Sequence, residues 1–284
     1  MDPLLPLDRA SVFFDGTLHQ PQLNHPEGLA IAPDGAVWCG GTGGEIYRIA
    51  PDGSAMEEVA STGGLVLGLA FDRNGLLYIC DIKHHTVLRL DPAEPTPEPF
   101  AKPRPGPEIA LPNFPVVDHE RNCLYVSDSN AKFQPGMGIW RFDLDSGEGE
   151  LWWDEPMNFA NGMALSADGA TLYVAETFGH LLTAVRIAAD GTASAAEPVL
   201  ENLDGTLDGL ALAADGSLYL SYFGPSKITR LDDGAEQLVI YDPHCELLCH
   251  PTNIAWRGTD LFAANLGAFH LTKVDLGIAG HPLL

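Results

Sequence analysis

The sequence predicts an all-β protein, a six-bladed β-propeller with four antiparallel strands in each blade. Two short sequence patterns recur in alternation six times, and four-stranded repeats of 40 to 48 residues are typical of propeller blades. A turn, often Asp-Gly, separates the two patterns, as expected for a tight hairpin. An apolar strand near the amino terminus supplies the one outer strand that the repeats lack. We therefore expect a single domain over residues 1–284, with its ring closed by the amino-terminal strand.

The first pattern is an apolar strand with one equivalent position in every repeat. We call these six positions the inner ring: Glu27, Leu67, Asn113, Asn161, Asp208 and Asn253. The second pattern is a strand that carries an aromatic residue: Trp38, Tyr78, Tyr125, Tyr173, Tyr219 and Phe262. Both sets keep the same order along the chain, which indicates six equivalent hairpins.

Third and fourth strands complete each repeat. The third strands alternate apolar and polar residues, as in TVLRLD and KITRLD. Outer strands are predicted at EEVAS, PEPFAK, ELWWDE, EPVLE and QLVIYD, with SVFFDG near the amino terminus as the sixth. The proline-rich stretch from Asp91 to Pro112 therefore contains an outer strand rather than a linker, because an edge strand tolerates missing N–H donors.

Charge and composition exclude several classes of partner. Fifteen Lys and Arg face 39 Asp and Glu, a formal net charge of −24, so phosphate backbones and anionic lipid surfaces are repelled. No basic leader and no run of about 18 apolar residues occurs, which predicts a cytoplasmic protein that binds neither nucleic acid nor membranes. The five cysteines fit a reducing compartment, and HCELLCH (residues 244–250) lacks the spacing of a zinc site and is interpreted as a surface loop.

The inner ring is the main candidate for chemistry. The first strand of each blade lines the central channel, and five of the six inner-ring side chains bear oxygen, although strand propensity disfavours Asp and Asn. Buried carboxylates at Glu27 and Asp208 require a cation or strong donors, and no Lys or Arg occupies an equivalent position. Carboxylate and amide oxygens together predict one divalent cation, with calcium expected and Mg²⁺, Mn²⁺ or Zn²⁺ as alternatives.

A second set of positions lies three residues past each aromatic residue and starts the loops at the channel mouth. We call it the loop ring: Gly41, Asp81, Asp128, Glu176, Tyr222 and Asn265. Asp128 and Glu176 are candidate substrate contacts, with solvated loop acids as the alternative. His250 precedes the last first strand and is a candidate substrate contact or proton carrier, the alternative being a hydrogen-bonded loop histidine.

Several segments together resemble the family of senescence marker protein 30 and the gluconolactonases, with paraoxonases and diisopropyl fluorophosphatase as more distant relatives. They are HPEGLA, LPNFPVVD, FANGMALSADGATLYVAET, LDGLALAADGSLYLS and PTNIAWRGTDLFAANLG. The resemblance implies a metal-dependent lactonase in which Glu27, Asn161 and Asp208 hold the cation. It further implies Asn113 as a fourth ligand or substrate contact, and Asp208 as general base or nucleophile.

Two positions depart from the sugar-lactone members of that family. Leu111 stands where those members carry an arginine, and Phe114 stands where an aspartate often follows the asparagine. Leu111, Phe114 and Asn253 are therefore expected to contact a substrate more apolar than a sugar-acid lactone. An acyl, aromatic or terpenoid lactone or ester fits this expectation.

Other functions remain open on the sequence alone. A single cation polarises P=O as well as C=O, so a phosphotriesterase or another ester hydrolase is an alternative. A non-catalytic propeller that binds a ligand and holds a structural ion is an alternative of a different class. A metal-free enzyme like strictosidine synthase ranks last, since such relatives lack the ring of acids and amides.

Overall fold

The structure is a computed structural model that describes residues 2–129 and 136–282. A 3-10 helix at Leu7–Arg9 precedes the first strand. The strands from the amino terminus through blade 3 are β1 (Ala10–Asp15); β2 (Leu29–Ile31), β3 (Val37–Gly40), β4 (Glu45–Ile49) and β5 (Met56–Ser61) of blade 1; β6 (Val66–Phe71), β7 (Leu77–Asp81), β8 (Thr86–Asp91) and β9 (Glu94–Pro99) of blade 2; and β10 (Lys102–Pro103), β11 (Pro112–Asp118), β12 (Cys123–Asp128), β13 (Gly138–Asp143) and β14 (Glu148–Trp153) of blade 3.

The later blades repeat the same hairpin order. Their strands are β15 (Ala160–Leu165), β16 (Thr171–Glu176), β17 (Leu181–Ile187) and β18 (Ala193–Leu200) of blade 4; β19 (Thr206–Leu212), β20 (Leu218–Gly224), β21 (Lys227–Asp232) and β22 (Ala235–Tyr241) of blade 5; and β23 (Pro251–Arg257), β24 (Asp260–Asn265) and β25 (His270–Asp275) of blade 6.

The six sheets form a closed propeller, which confirms the predicted fold. The innermost strands contact one another in the circular order β2, β6, β11, β15, β19, β23 and back to β2. Strand β1 completes blade 6 by pairing antiparallel with β25, with Ala10 opposite Val274. The amino-terminal strand therefore closes the ring, as the sequence predicts.

One predicted outer strand is displaced. PEPFAK was expected to form the edge of blade 2, but the edge strand lies earlier, at Glu94–Pro99. Phe100 turns inward and packs edge-on against Tyr78 with ring centroids 4.8 Å apart, which ends the strand. Lys102–Pro103 then pairs in parallel with β14, so the end of the predicted strand belongs to blade 3.

The hydrophobic core is divided among the blade interfaces. Six clusters of buried apolar residues occur, each formed by two neighbouring blades. The aromatic residues of the second strands lie in these clusters, and Tyr125 and Phe262 are completely buried. Because each blade buries both faces, second strands such as β3 and β12 are buried along their whole length rather than on alternate residues.

The two ends of the channel differ. The inner strands begin at one end, which we call the mouth, and finish at the other. At the end opposite the mouth, the carboxy-terminal segment bridges blades 5 and 6: Gly280 N donates to Gly258 O at 3.0 Å and His281 N donates to Leu212 O at 3.0 Å. Among the described residues, no helix has the length and apolar character needed to cross a bilayer.

Candidate functional site

The inner-ring residues stand at the mouth ends of the inner strands, where five of the six blades interrupt the pairing of their first two strands. The register between the first and second strands shifts across Asn113, Asn161, Asp208 and Asn253, as it does in blade 2 across Leu67. Such bulges bend a strand and redirect its side chains. A bulge at the same level of five blades therefore gives the inner-ring side chains a common orientation relative to the channel.

Glycines beside the inner ring bring neighbouring blades into close contact. A side chain on Gly162 would place its Cβ 2.7 Å from Gly209 Cα, and one on Gly209 would lie 2.9 Å from Asn253 Cα. Backbones this close leave room only for hydrogen at these positions. The Asn-Gly and Asp-Gly pairs of the sequence thus set the narrow spacing of the inner strands around the channel.

Five inner-ring residues are buried polar groups: Glu27, Asn113, Asn161, Asp208 and Asn253. Each keeps at least one atom with no hydrogen-bond partner. These atoms are Glu27 Oε2, Asn113 Oδ1, Asn161 Oδ1, Asp208 Oδ1, and both Oδ1 and Nδ2 of Asn253. Leaving a buried polar atom unpaired is costly, so this concentration of bare oxygens indicates a site built for a ligand.

Hydroxyl groups fix the orientation of two of the amides. Asn113 Nδ2 donates to Ser129 Oγ at 2.9 Å, and Ser129 Oγ donates its own proton to Ala160 O at 2.6 Å. Because the hydroxyl proton is already used, Ser129 accepts from the amide nitrogen, and the amide oxygen of Asn113 is the atom left bare.

The same relay occurs one blade further along. Asn161 Nδ2 donates to Thr177 Oγ1 at 3.1 Å, and Thr177 Oγ1 donates to Leu207 O at 2.7 Å. Each relay also joins the amide to the backbone of the next blade. Blades 3 to 5 are therefore linked at the level where the bare oxygens lie.

Asn253 has no such relay. It is completely buried, and both polar atoms of its amide lack a partner. Leu266 follows the loop-ring residue of blade 6, where blades 3 and 4 have a hydroxyl. Asn253 Nδ2 is consequently the one bare hydrogen-bond donor among the described side chains of the inner ring, all other bare atoms there being oxygens.

The two carboxylates of the inner ring disfavour each other's charge. Burial raises the pKa of Glu27 well above its usual range, and the nearby Asp208 charge raises it further. Burial raises the pKa of Asp208 to about 7, and a hydrogen bond from Asn161 opposes part of that rise. None of the ion pairs among the described residues includes either carboxylate. Without a positive charge beside them, the ionisation of both carboxylates at the same time is unfavourable.

These residues fit a hard divalent cation. The bare oxygens come from two carboxylates and two amides whose orientation is fixed, and two negative charges match the charge of one such ion. Among the described residues, no cluster of three or more His, Cys, Asp or Glu side chains is arranged to hold a metal. The ring thus depends on its amide oxygens for any further ligands.

The loop ring differs from the expectation of solvated acids, because Asp128 and Glu176 are buried and used structurally. Asp128 accepts from the backbone N–H groups of Ala110 and Leu111, both at 2.8 Å, and from Trp140 Nε1 at 3.0 Å. Glu176 accepts from Asn158 N at 2.8 Å and Thr183 Oγ1 at 2.6 Å. Through these hydrogen bonds, each carboxylate holds in place the chain segment that enters an inner strand.

The other expected substrate contacts are distributed differently. Leu111 is half-buried two residues before Asn113, whereas Phe114 lies in the core cluster between blades 3 and 4. Phe114 is thus packed in the core, and its contact with a substrate stays a prediction. His250 is half-buried at the mouth, with its Nδ1 hydrogen-bonded to Phe223 O at 2.7 Å.

The sequence does not predict the part played by Ser129 and Thr177. Both are hydrogen-bonded neighbours of the inner ring, and their signal is a hydroxyl residue directly after a loop-ring acid. The HCELLCH segment is a loop between β22 and β23, as the sequence predicts, and Asp242 organises it by accepting from Leu247 N at 2.7 Å and Leu248 N at 3.0 Å. Its two cysteines are free and half-buried.

A six-bladed propeller with a buried ring of acid and amide oxygens is the class of protein that this fold and site define. The chain belongs to the SMP-30/gluconolactonase/LRE-like family, whose model matches residues 116–264, just over half of the sequence. That stretch includes Asn161, Asp208 and Asn253. A second model, strictosidine synthase-like N-terminal, matches residues 17–49, which include Glu27.

Individual relatives are distant. The gluconolactonase of Xanthomonas campestris superposes with a TM-score of 0.75 at 19% identity, covering 92% of this chain and 89% of that chain. The calcium-binding protein regucalcin of Agrobacterium tumefaciens superposes with a TM-score of 0.70 at 17% identity, covering 92% of this chain and 94% of that chain. Strictosidine synthase-like protein 6 of Arabidopsis thaliana is 26% identical over 227 residues, 74% of this chain, and the match spans only 58% of that relative.

Proposed function

We propose that this protein is a lactonase-type hydrolase that holds one divalent cation, with calcium the expected ion, at the inner ring. The observation that carries the proposal is the set of four bare, buried oxygens on Glu27, Asn113, Asn161 and Asp208. Family membership and the names of the gluconolactonase and regucalcin neighbours support it. We expect a small lactone or ester as the substrate.

In this proposal Glu27, Asn113, Asn161 and Asp208 hold the ion through these oxygens. When bound, the cation supplies Lewis-acid polarisation of the substrate carbonyl and stabilises negative charge on its oxygen. The protein contributes rigid ligands, since the Ser129 and Thr177 relays prevent the amides from turning.

The remaining roles fall to two side chains. Asp208 is proposed as the proton acceptor for the attacking water, because it is an inner-ring carboxylate that keeps a bare oxygen beside the proposed ion. Asn253 is proposed to contact the substrate by donating its bare Nδ2 proton to the oxygen on which negative charge develops. Both residues are buried at the mouth end of adjacent inner strands.

Proton release on a panel of lactones tests the proposal. Glucono-δ-lactone, dihydrocoumarin and δ-valerolactone should be assayed with enzyme loaded with calcium, with chelated enzyme, and with the Asp208→Asn variant. We expect turnover of at least one lactone by the loaded enzyme alone. Equal turnover by the chelated enzyme or by Asp208→Asn would overturn the mechanism.

Two outcomes would favour the other functions. Turnover of a fluorophosphonate in the absence of lactone turnover would indicate a phosphotriesterase. A bound ion whose coordination is completed by protein atoms, with no exchangeable water, would indicate a non-catalytic propeller with a structural ion.

A further inference from the structure

The inner ring has a second layer of residues above it, towards the mouth. The layer consists of the residues two before each inner-ring position, which lie at or shortly before the start of the inner strands, where the chain enters from the mouth. We call it the mouth collar: His25, Leu65, Leu111, Phe159, Thr206 and Pro251. Five of the six are half-buried and Pro251 is buried, as expected for the wall of a recess.

Four collar residues are apolar, and the polar groups of the other two are largely engaged. Thr206 Oγ1 donates to Gly224 O at 3.2 Å and accepts from Gly224 N at 2.9 Å. His25 Nδ1 is hydrogen-bonded to Leu266 O at 2.9 Å, and its ring packs against Phe269 with centroids 4.4 Å apart. The collar therefore has little capacity to bind a ligand that carries many hydroxyl groups.

Aromatic side chains extend this apolar wall on the loops at the mouth. Phe178 directly follows Thr177 and is 38% exposed, with its ring 4.7 Å from that of Phe159. Phe223 is 36% exposed and stacks on His250, with centroids 4.6 Å apart. Large exposed hydrophobic side chains beside a recess are typical of ligand-binding sites.

The lysine side chains near these loops donate hydrogen bonds to backbone carbonyl oxygens. Lys83 Nζ donates to Gly63 O at 2.7 Å, and Lys227 Nζ donates to Asp204 O at 2.8 Å while lying over the Tyr222 ring. The collar itself contains neither lysine nor arginine.

We propose that the mouth collar, with Phe178 and Phe223, selects lactones or esters whose body is an alkyl chain or an aromatic ring and discriminates against polyhydroxylated sugar lactones. This inference rests on the proposed hydrolase function. Burial of an apolar body against the collar is favourable, whereas each sugar hydroxyl that loses water without a partner weakens binding. Recognition takes place above the bare oxygens, so it acts on the part of the substrate that does not react.

The experiment compares kcat/KM for dihydrocoumarin, δ-undecalactone and glucono-δ-lactone. We expect the two apolar lactones to exceed the sugar lactone by about 100-fold, the size of effect that one buried apolar group provides. Phe223→Ser should raise KM for the apolar lactones about tenfold with little change in kcat, and Phe223→Leu should restore most of the loss. Leu111→Arg should also lower the ratio of kcat/KM for the apolar lactones to kcat/KM for glucono-δ-lactone.

Tyr241→Ser is the matched control, because Tyr241 is 39% exposed but lies at the end of the outer strand of blade 5. It should leave KM unchanged for all three lactones. A cation-dependent enzyme that prefers glucono-δ-lactone would overturn the collar inference while the hydrolase proposal stands.

A binding measurement that needs no turnover tests the collar inference independently of the hydrolase proposal. The lactam analogue of dihydrocoumarin should bind to the wild type and bind about tenfold more weakly to Phe223→Ser. If it does so while no lactone is hydrolysed, the collar inference stands and the hydrolase proposal falls. Equal affinity for wild type and Phe223→Ser would overturn the collar inference.

Discussion

The inner ring and the loop ring contain the same kinds of residue at the same end of the propeller, yet the carboxylates of the two rings differ in their hydrogen bonding. The loop-ring acids Asp128 and Glu176 have their oxygens bonded to backbone N–H groups and side-chain donors. The inner-ring acids Glu27 and Asp208 each keep a bare, buried oxygen. Available hydrogen-bond donors, rather than residue type or burial, separate a structural acid from a candidate functional one.

The difference has a local cause. A loop-ring acid stands at the end of a second strand, opposite the segment that enters the first strand, whose N–H groups have no ladder partner. Asp208 stands on the bulged first strand of blade 5, and Glu27 lies just before the first strand of blade 1. Both belong to the inner ring, where the neighbouring side chains are acids and amides from other blades. Asp81 is an intermediate case, because its Oδ1 accepts from Lys83 N and His84 N while its Oδ2 is bare.

The largest expected effect comes from removing an inner-ring charge. Asp208→Asn keeps the volume of the side chain but removes one of the two charges that balance a divalent ion. We expect loss of bound calcium and a fall in kcat/KM of about 1,000-fold, since metal polarisation contributes several kcal/mol. Metal analysis of the purified variant and a lactonase assay measure the two effects. Retention of a full equivalent of calcium would contradict the assignment.

A smaller loss is expected at Asn253. Asn253→Leu removes the bare Nδ2 donor in a side chain of similar size, and loss of one such donor costs about 100-fold in kcat. The ion should remain, because Asn253 is not among the four ligands proposed. Steady-state kinetics beside metal analysis tests this, and loss of calcium in the variant would instead make Asn253 a ligand.

The hydroxyl relays should have an intermediate effect on metal affinity. Ser129→Ala and Thr177→Val free the amides of Asn113 and Asn161 to turn, and loss of such orienting partners costs about 10- to 100-fold in metal affinity. Calorimetric calcium titration measures this, with Ser54→Ala as the control because Ser54 bonds only within an exposed turn. Unchanged affinity in both relay variants would show that the hydroxyls serve folding alone.

The loop ring should respond in stability rather than in metal binding. Asp128→Asn replaces an acceptor of three hydrogen bonds and leaves buried donors poorly paired, at a cost of about 1–3 kcal/mol in the free energy of unfolding. Denaturant unfolding and metal analysis of the same sample test this. A variant that loses calcium but keeps its stability would place Asp128 in the site.

The last expected effect is a pH dependence of stability, measured in the presence of chelator. Burial raises the pKa of Asp208 to about 7, so between an unfolded carboxyl pKa of about 4 and that value the folded state binds more protons than the unfolded state. Stability from this group is therefore fully present below about pH 4 and is lost as the pH rises through about 7, on the order of 1 kcal/mol per pH unit. From pH 5 to pH 8 the Tm of Asp208→Asn should rise relative to the Tm of the wild type. Added calcium should cancel this change. A constant Tm difference would contradict the raised pKa.

Much of the fold could be predicted because the blades repeat. Six copies of the paired patterns determine strand order, and the lack of one outer strand predicts closure by β1. The outer strand of blade 2 was displaced because its prolines weaken any edge pattern, and the burial of Phe100 decides where the strand ends.

The inner ring could be recognised from sequence for the same reason, since one equivalent position in six repeats carries oxygen in five. The relays from Ser129 and Thr177 could not, because each hydrogen bond joins groups from different strands and continues into another blade. The burial of Asp128 depends on the chain path before β11, which no local pattern specifies.

The decisive experiment is a crystal structure of the protein grown with calcium. We expect one ion at the mouth end of the channel, with Glu27, Asn113, Asn161 and Asp208 each placing an oxygen at about 2.3–2.6 Å. A channel without an ion at saturating calcium, with these four side chains bonded to water or to one another, would contradict this expectation.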